Sequence, residues 1–207
     1  MRKLFFLTIL AIFALAADAI AGSLVLDLSP TNGMMAYDAN FGAGQGVTVS
    51  TSQNITDMAF YLDQPNGGDL KFMIWDTTNS TLLYSSVLNP GPSFSPSWVY
   101  SNPFNITVNA GQTYWFGVIN DHSFMSVGTI VPPINYSNNG LTAVTTGSSN
   151  YVNYASPTFS GYSPGMEIGL QLDGEPVPEP GSLMLLGSGV LGLAGIARRQ
   201  LMTKGLK

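Results

Sequence analysis

Hydrophobic and polar side chains alternate along most of residues 22–175, and this period of two is what most narrows the fold. The segment NITDMAFYLDQ (54–64) sets Met58, Phe60 and Leu62 on one face. DLKFMIWD (69–76) sets Leu70, Phe72 and Ile74 on one face, with Lys71, Met73 and Trp75 opposite. A strand turns successive side chains to opposite sides, whereas a helix needs apolar residues three and four apart. The same alternation marks 23–29, 46–52, 81–88, 97–101, 104–110, 112–120 and 166–173, where Met166, Ile168, Leu170 and Leu172 point inward. No stretch between 22 and 175 has the helical period.

Short alternating strands separated by Gly, Pro, Asn and Ser clusters predict an all-β chain, an antiparallel β-sandwich of jelly-roll-like or Ig-like form. A closed barrel is the lesser alternative. Asn66-Gly67 in DQPNGGDL predicts a tight hairpin, because both central positions of such a turn favour positive φ. FNITVNAGQTYWFGVIN (104–120) reads as strand, Ala-Gly turn, strand. Residues 128–164, rich in Asn, Ser, Thr, Gly and Tyr and without a charge, read as a long, partly extended loop region with short strands near 141–146 and 150–154.

The two ends differ from this middle. Arg2-Lys3, the apolar run 4–15 and the small residues Ala19-Ile20-Ala21 have the form of a secretory signal peptide, a helix removed after Ala21. Pro180 to Ala197 carries no charge; as a helix it reaches about 27 Å, close to the thickness of a hydrocarbon core. Arg198-Arg199 follow and would hold the terminus on the cytoplasmic side. The expected domains are therefore a signal peptide (1–21), a β-sandwich ectodomain (22–175) and a terminal segment (176–207) with a transmembrane helix over about 181–197.

Pro178-Glu179-Pro180, the apolar Gly-rich span and Arg198-Arg199 together resemble the PEP-CTERM sorting signal of Gram-negative bacteria. The resemblance implies recognition by an exosortase-type membrane protease, which cleaves near Pro-Glu-Pro and releases or transfers the ectodomain. It also implies association with biofilm-forming cells that make exopolysaccharide. It covers residues 177–200 and says nothing of the central domain. The prolines at 176, 178 and 180 keep the backbone extended, the form that proteases bind.

Charge excludes one class of partner. Between Gly22 and Pro180 eleven acids face a single cation, Lys71, a net of −10. Such a surface repels phosphate backbones, so no nucleic-acid partner is expected. With no cysteine in the chain, an N-terminal lipidated cysteine, a thiol nucleophile and thiolate metal sites are all ruled out.

Within the central domain the candidates for chemistry are few. His122 lies between Asp121 and Ser123, but neighbours on a strand point to opposite faces, so NDHSFM is no ready-made triad. Asp63, Asn66 and Asp69 flank one turn, and Asp76 and Asn79 the next; they are weak calcium candidates, which leaves a structural Ca2+ as the only cofactor considered. Glu167 is the acid best placed for a two-carboxylate glycosidase. The better lead is aromatic. Trp98, Trp75, Tyr151 and Tyr154, with Tyr162, could form a flat platform for sugar rings, flanked by Asn or Asp. Trp75 and Trp115 also fit core positions, and Trp98, beside PSFSPS, is the one expected at the surface. The expectation is an exported, non-catalytic envelope or extracellular-matrix protein. A carbohydrate-binding module on exopolysaccharide is the first alternative, a secreted hydrolase the second.

Overall fold

The structure, a computed structural model, describes residues 23–177 except 31, 77–80, 122, 123, 164 and 165, together with Gly189. Fifteen strands run in chain order: β1 (Ser23–Leu28), β2 (Asn32–Tyr37), β3 (Phe41–Val49), β4 (Gln53–Gln64), β5 (Leu70–Asp76), β6 (Thr81–Leu88), β7 (Phe94–Tyr100), β8 (Ile106–Val108), β9 (Thr113–Asn120), β10 (Met125–Ile130), β11 (Ser137–Asn138), β12 (Leu141–Val152), β13 (Thr158–Ser163), β14 (Glu167–Ile168) and β15 (Leu170–Pro176). No described residue between 23 and 177 is helical. The chain divides into two compact units, Met1–Pro176 and Val177–Lys207.

The strands form two antiparallel sheets. In the first, β1, β15, β4, β10 and β14 lie in that order, with β2 added to β10, and β7 and β8 to the far edge of β4. In the second the order is β11, β12, β3, β9, β5, β6, with β13 on β12. Their inner faces share one core. Leu26, Met58, Phe60, Leu62 and Leu172 from the first sheet meet Val47, Leu70, Phe72, Phe116 and Val118 from the second. The Phe60 and Phe72 rings meet across it, 6.2 Å between centres. Each such side chain contributes about 1.5–3 kcal/mol by leaving water, which explains why alternation decides the facing side.

Strand β4 shows how a local irregularity preserves that alternation. Its alternating buried residues are Gln53 and Ile55, then Met58, Phe60, Leu62 and Gln64, and small Ala59 is buried on the other face. The phase changes at Thr56–Asp57, where the register against β15 also shifts: Gly174 faces Ile55 and Asp173 faces Asp57. One extra residue in the bulge returns the apolar positions to the core side.

Two expected hairpins are arches instead. The turn at Asn66-Gly67 forms, with Gly67 and Gly68 at φ 70° and 116°, but β4 and β5 belong to different sheets. The Gln64 amide donates to the Gly67 carbonyl at 2.8 Å and closes the arch. Likewise β8 pairs with β4 and β9 with β3 and β5. The tight Asn-Gly hairpin lies elsewhere, at Asn139-Gly140 between β11 and β12, with φ 48° and 81°.

Residues 128–163 also form strands rather than a loop. Their centre is the twelve-residue β12, which pairs with β3 and, at its far end, with β13. A wide bulge hid it. Ala143 pairs with Val47 and Ser148 with Gln45, so the intervening residues oppose a single β3 position and break the alternation. Gln45, fully buried, fills that gap and ties the sheets together. Its Oε1 accepts the Ile168 N–H of β14 at 2.9 Å, and its Nε2 donates to the carbonyls of Gly46 (3.0 Å) and Val144 (3.3 Å).

Candidate functional site

The aromatic candidates divide between the two outer faces. On the first sheet, Tyr61 and Trp98 are opposite each other in the β4–β7 register and pack edge to face, 5.5 Å between ring centres. With Ser29, Pro30, Gly33, Met34 and Pro96 they line an open groove of about 490 Å³. Trp98 is half-buried, so part of its indole remains accessible. Tyr61 is outward because Phe60 and Leu62 are inward; the alternation of β4 carried that signal.

Beside the groove a polar row crosses four strands. Tyr100, Ala59, Gln171 and Asp27 are successive partners on β7, β4, β15 and β1. Tyr100 is 47% exposed, and its hydroxyl donates to Gln171 Oε1 at 3.0 Å across the fully buried Ala59. Gln171 Nε2 donates to Asp27 Oδ1 at 3.2 Å, and Ser29 Oγ donates to the same oxygen at 2.9 Å. In the next row Asp173 faces Asp57. Burial first, and then the Asp57 charge, push the Asp173 carboxyl above its ordinary value. The first sheet thus presents two aromatic rings and a tyrosine hydroxyl beside amide and carboxylate oxygens.

Trp75 and Tyr154 lie elsewhere, on the outer face of the second sheet. There they pack over Met73, Trp115 and Ile119, all three buried. Trp115 is 4% exposed, in line with its core reading, whereas Trp75 keeps partial exposure. Glycines on β3 make room for this outer layer: a Cβ on Gly46 would sit 2.9 Å from the Trp115 ring. Lys71 Nζ lies 4.2 Å above the Tyr154 ring and donates to the Tyr154 carbonyl. Loss of water pushes the Lys71 pKa down; the same cause, followed by Asp69 and Asp121, pushes Tyr154 up. Tyr151 pairs with Gly42 and Phe159, and Tyr162 with Ser149, within the same sheet.

Several of the acids are held by hydrogen bonds. Asp69 and Asn66 line a shallow depression of about 580 Å³ with Asn89 and Asp121, but Asp63 does not line it. Asp121 Oδ1 accepts the Asp69 N–H at 3.0 Å, and Asp69 Oδ1 accepts from Asn89 at 2.8 Å. Among the described residues no group of three or more His, Asp or Glu is arranged to hold a metal ion. Glu167 is fully buried, and its two oxygens accept the N–H groups of Ile134 and Asn135 at 3.0 and 3.1 Å. Its carboxylate anchors the loop after β10. Asp76 ends β5, opposite Thr81.

His122, Ser123, Asn79, Pro178, Glu179, Pro180, Arg198 and Arg199 lie outside the described residues, as do the expected signal helix and all of the expected C-terminal helix but Gly189. No helix among the described residues is long and apolar enough to cross a membrane.

Comparison with known proteins adds one functional element. Residues 176–199 match the PEP-CTERM protein-sorting motif. The chain carries that motif, and the motif indicates export and a C-terminal sorting signal. No curated protein matches significantly. Among solved structures the chain is similar to one described as "Structure of infectious bursal disease virus Gt strain", at 10% identity and TM-score 0.31, over 83% of this chain and 51% of that one. It is also similar to the Gx strain structure, at 10% identity and TM-score 0.23, over 78% and 42%. The chain thus spans about half or less of those chains.

Proposed function

We propose that this chain, carrying a PEP-CTERM protein-sorting motif, is a non-catalytic component of the bacterial envelope or extracellular matrix. The motif at residues 176–199 is the observation that carries the reading. In it, residues 1–21 are a signal peptide, and residues 22–175 form a β-sandwich, jelly-roll-like or Ig-like, outside the cytoplasmic membrane. Residues 176–207 present Pro178-Glu179-Pro180 to an exosortase-type protease, while a helix over about 181–197 and Arg198-Arg199 hold the chain in the bilayer until processing. Mass measurement of the C-terminus from fractionated cells tests this. A species ending near residues 178–182 in the envelope or medium supports sorting. An intact Lys207 on a soluble cytoplasmic protein refutes it.

A second reading has its own support in the Tyr61–Trp98 groove: the domain binds exopolysaccharide. Aromatic faces pack against sugar C–H groups, and Asp27, Ser29 and Gln171 stand close enough in the sheet to meet hydroxyls. The net charge of −10 between Gly22 and Pro180 selects neutral glycans over acidic ones. Retention on a neutral polysaccharide, lost in Trp98→Ala, supports this reading. Equal retention of wild type and Trp98→Ala, or none by wild type, rejects it.

A further inference from the structure

The walls of the Tyr61–Trp98 groove are built onto the sheet by two glycines. A Cβ on Gly128 would lie 2.7 Å from the Pro30 ring and 2.8 Å from the Tyr61 ring. One on Gly169 would lie 3.1 Å from both side chains. Pro30 and Tyr61 therefore lie down against bare backbone, and Trp98 stands beside Tyr61 in the β4–β7 register. The two aromatic rings meet at 73°, so they form a corner rather than one flat platform.

Acids and acceptors surround this corner. Asp63 is the next outward residue after Tyr61 on β4. Asp27 adjoins the groove through Ser29, which lines it. The bonds from Ser29 and Gln171 both end on Asp27 Oδ1, so Oδ2 keeps its lone pairs for a ligand. Tyr100 and Ser29 have given their protons to Gln171 and Asp27, which leaves their hydroxyl oxygens as acceptors. The acids one row beyond, Asp57 and Asp173, have the same sign. No cation opposes them. Lys71 is the only Lys or Arg among the described residues, and β5 places it in the other sheet.

An aromatic corner set among acceptors and acids complements a ligand that is rich in donors and positively charged. We propose, building on the exopolysaccharide reading of this groove, that it selects amino-sugar polymers whose nitrogen is a free ammonium. The aromatic face that packs against sugar C–H groups also attracts a cation, and indole does so best. Asp27 supplies the opposite charge through Oδ2, and the neighbouring acceptors take the remaining ammonium and hydroxyl protons. N-Acetylation removes the charge that this site reads, and a carboxylated sugar reverses it. The wider field acts in the same direction. Eleven acids against Lys71 give −10 between Gly22 and Pro180, although the cations of the terminal segments bring the whole chain to −5.

Hexamers of glucose, N-acetylglucosamine and glucosamine with one linkage differ only at the second ring carbon. Titration calorimetry of the purified full chain at physiological salt should show the glucosamine hexamer bound about tenfold tighter than the other two. Trp98→Ala should lose all three. Asp27→Asn keeps an acceptor for Ser29 and Gln171 but removes the charge, and should bring the preference to within about threefold. Asp76→Asn removes the same charge from β5 of the second sheet and should leave the preference as it is. Equal binding of the three hexamers overturns this inference and leaves the sugar reading standing; binding of none overturns both. A preference untouched by Asp27→Asn, glucosamine binding that survives Trp98→Ala, or a lysine hexamer bound as tightly each means attraction by charge alone, and overturns it too.

Discussion

Replacing Gln45 tests how the two sheets are joined. Its side chain is fully buried and accepts from Ile168 N–H in the first sheet while donating to Val144 C=O in the second. Gln45→Met keeps the length and most of the volume, but takes this partner from the buried Ile168 N–H and Gly46 C=O and from the part-buried Val144 C=O. A buried polar group deprived of its partner costs about 1–3 kcal/mol. The Val144 bond, at 3.3 Å, is the longer, so Ile168 should dominate and the total should be about 2–4 kcal/mol. Gln45→Ala adds a cavity and should cost about 1–2 kcal/mol more. For a domain of this size each kcal/mol lowers Tm by about 2–4 °C, so Gln45→Met should melt roughly 4–16 °C below wild type. Urea unfolding should show a lower midpoint with an unchanged slope, because the surface exposed on unfolding is the same. If Gln45→Met unfolds within about 0.5 kcal/mol of wild type, the range expected of a surface change, the bridge is not what holds β12 and β14 together.

Two other predictions follow from local geometry. The Asp173 carboxyl is pushed above its ordinary 3.8 by burial and then by Asp57. It therefore binds its proton more tightly folded than unfolded, and it opposes folding once both states are ionised. Asp173→Asn should raise Tm near neutral pH, and the gain should shrink through the raised folded value and vanish below about the ordinary one; a pH-independent gain would contradict this cause. Gly67 sits at φ 70°, and a Cβ there would lie 2.0 Å from the Pro92 carbonyl oxygen. Gly67→Ala should cost more than about 2 kcal/mol in urea unfolding, because both backbone conformation and space forbid it, whereas a loss under about 0.5 kcal/mol would mean that the arch can be rebuilt.

The strands whose alternation is unbroken were legible, including their facing: Met58, Phe60 and Leu62, and Leu70, Phe72 and Ile74, are all buried as expected. Elements were missed where that alternation is interrupted. Strand β2 (NGMMAY) has adjacent methionines, and the first half of β3 is glycine at every second position. Strand β12 carries the bulge opposite Gln45. Trp98 was legible as a surface aromatic, but Tyr61 and Tyr100 became visible beside it only when β4 and β7 were paired. The grouping of Trp98 with Trp75 and Tyr154 failed because the two sets belong to different sheets.

Read alone, the sequence determines which residues turn inward along an unbroken strand, that the middle is acidic and β-rich, and that residues 176–199 carry a sorting motif. These are local matters: backbone geometry makes side chains alternate, and a linear motif is contained in its own residues. Tertiary structure alone decided that Asn66-Gly67 opens an arch while Asn139-Gly140 closes a hairpin. It also decided that Gln45 and Glu167 lie inside, and that β6 ends a sheet. The reason is that a connection of a few residues can either fold back beside its own strand or cross the roughly 10 Å to the facing sheet. Partners far along the chain, competing for the same edge, make that choice.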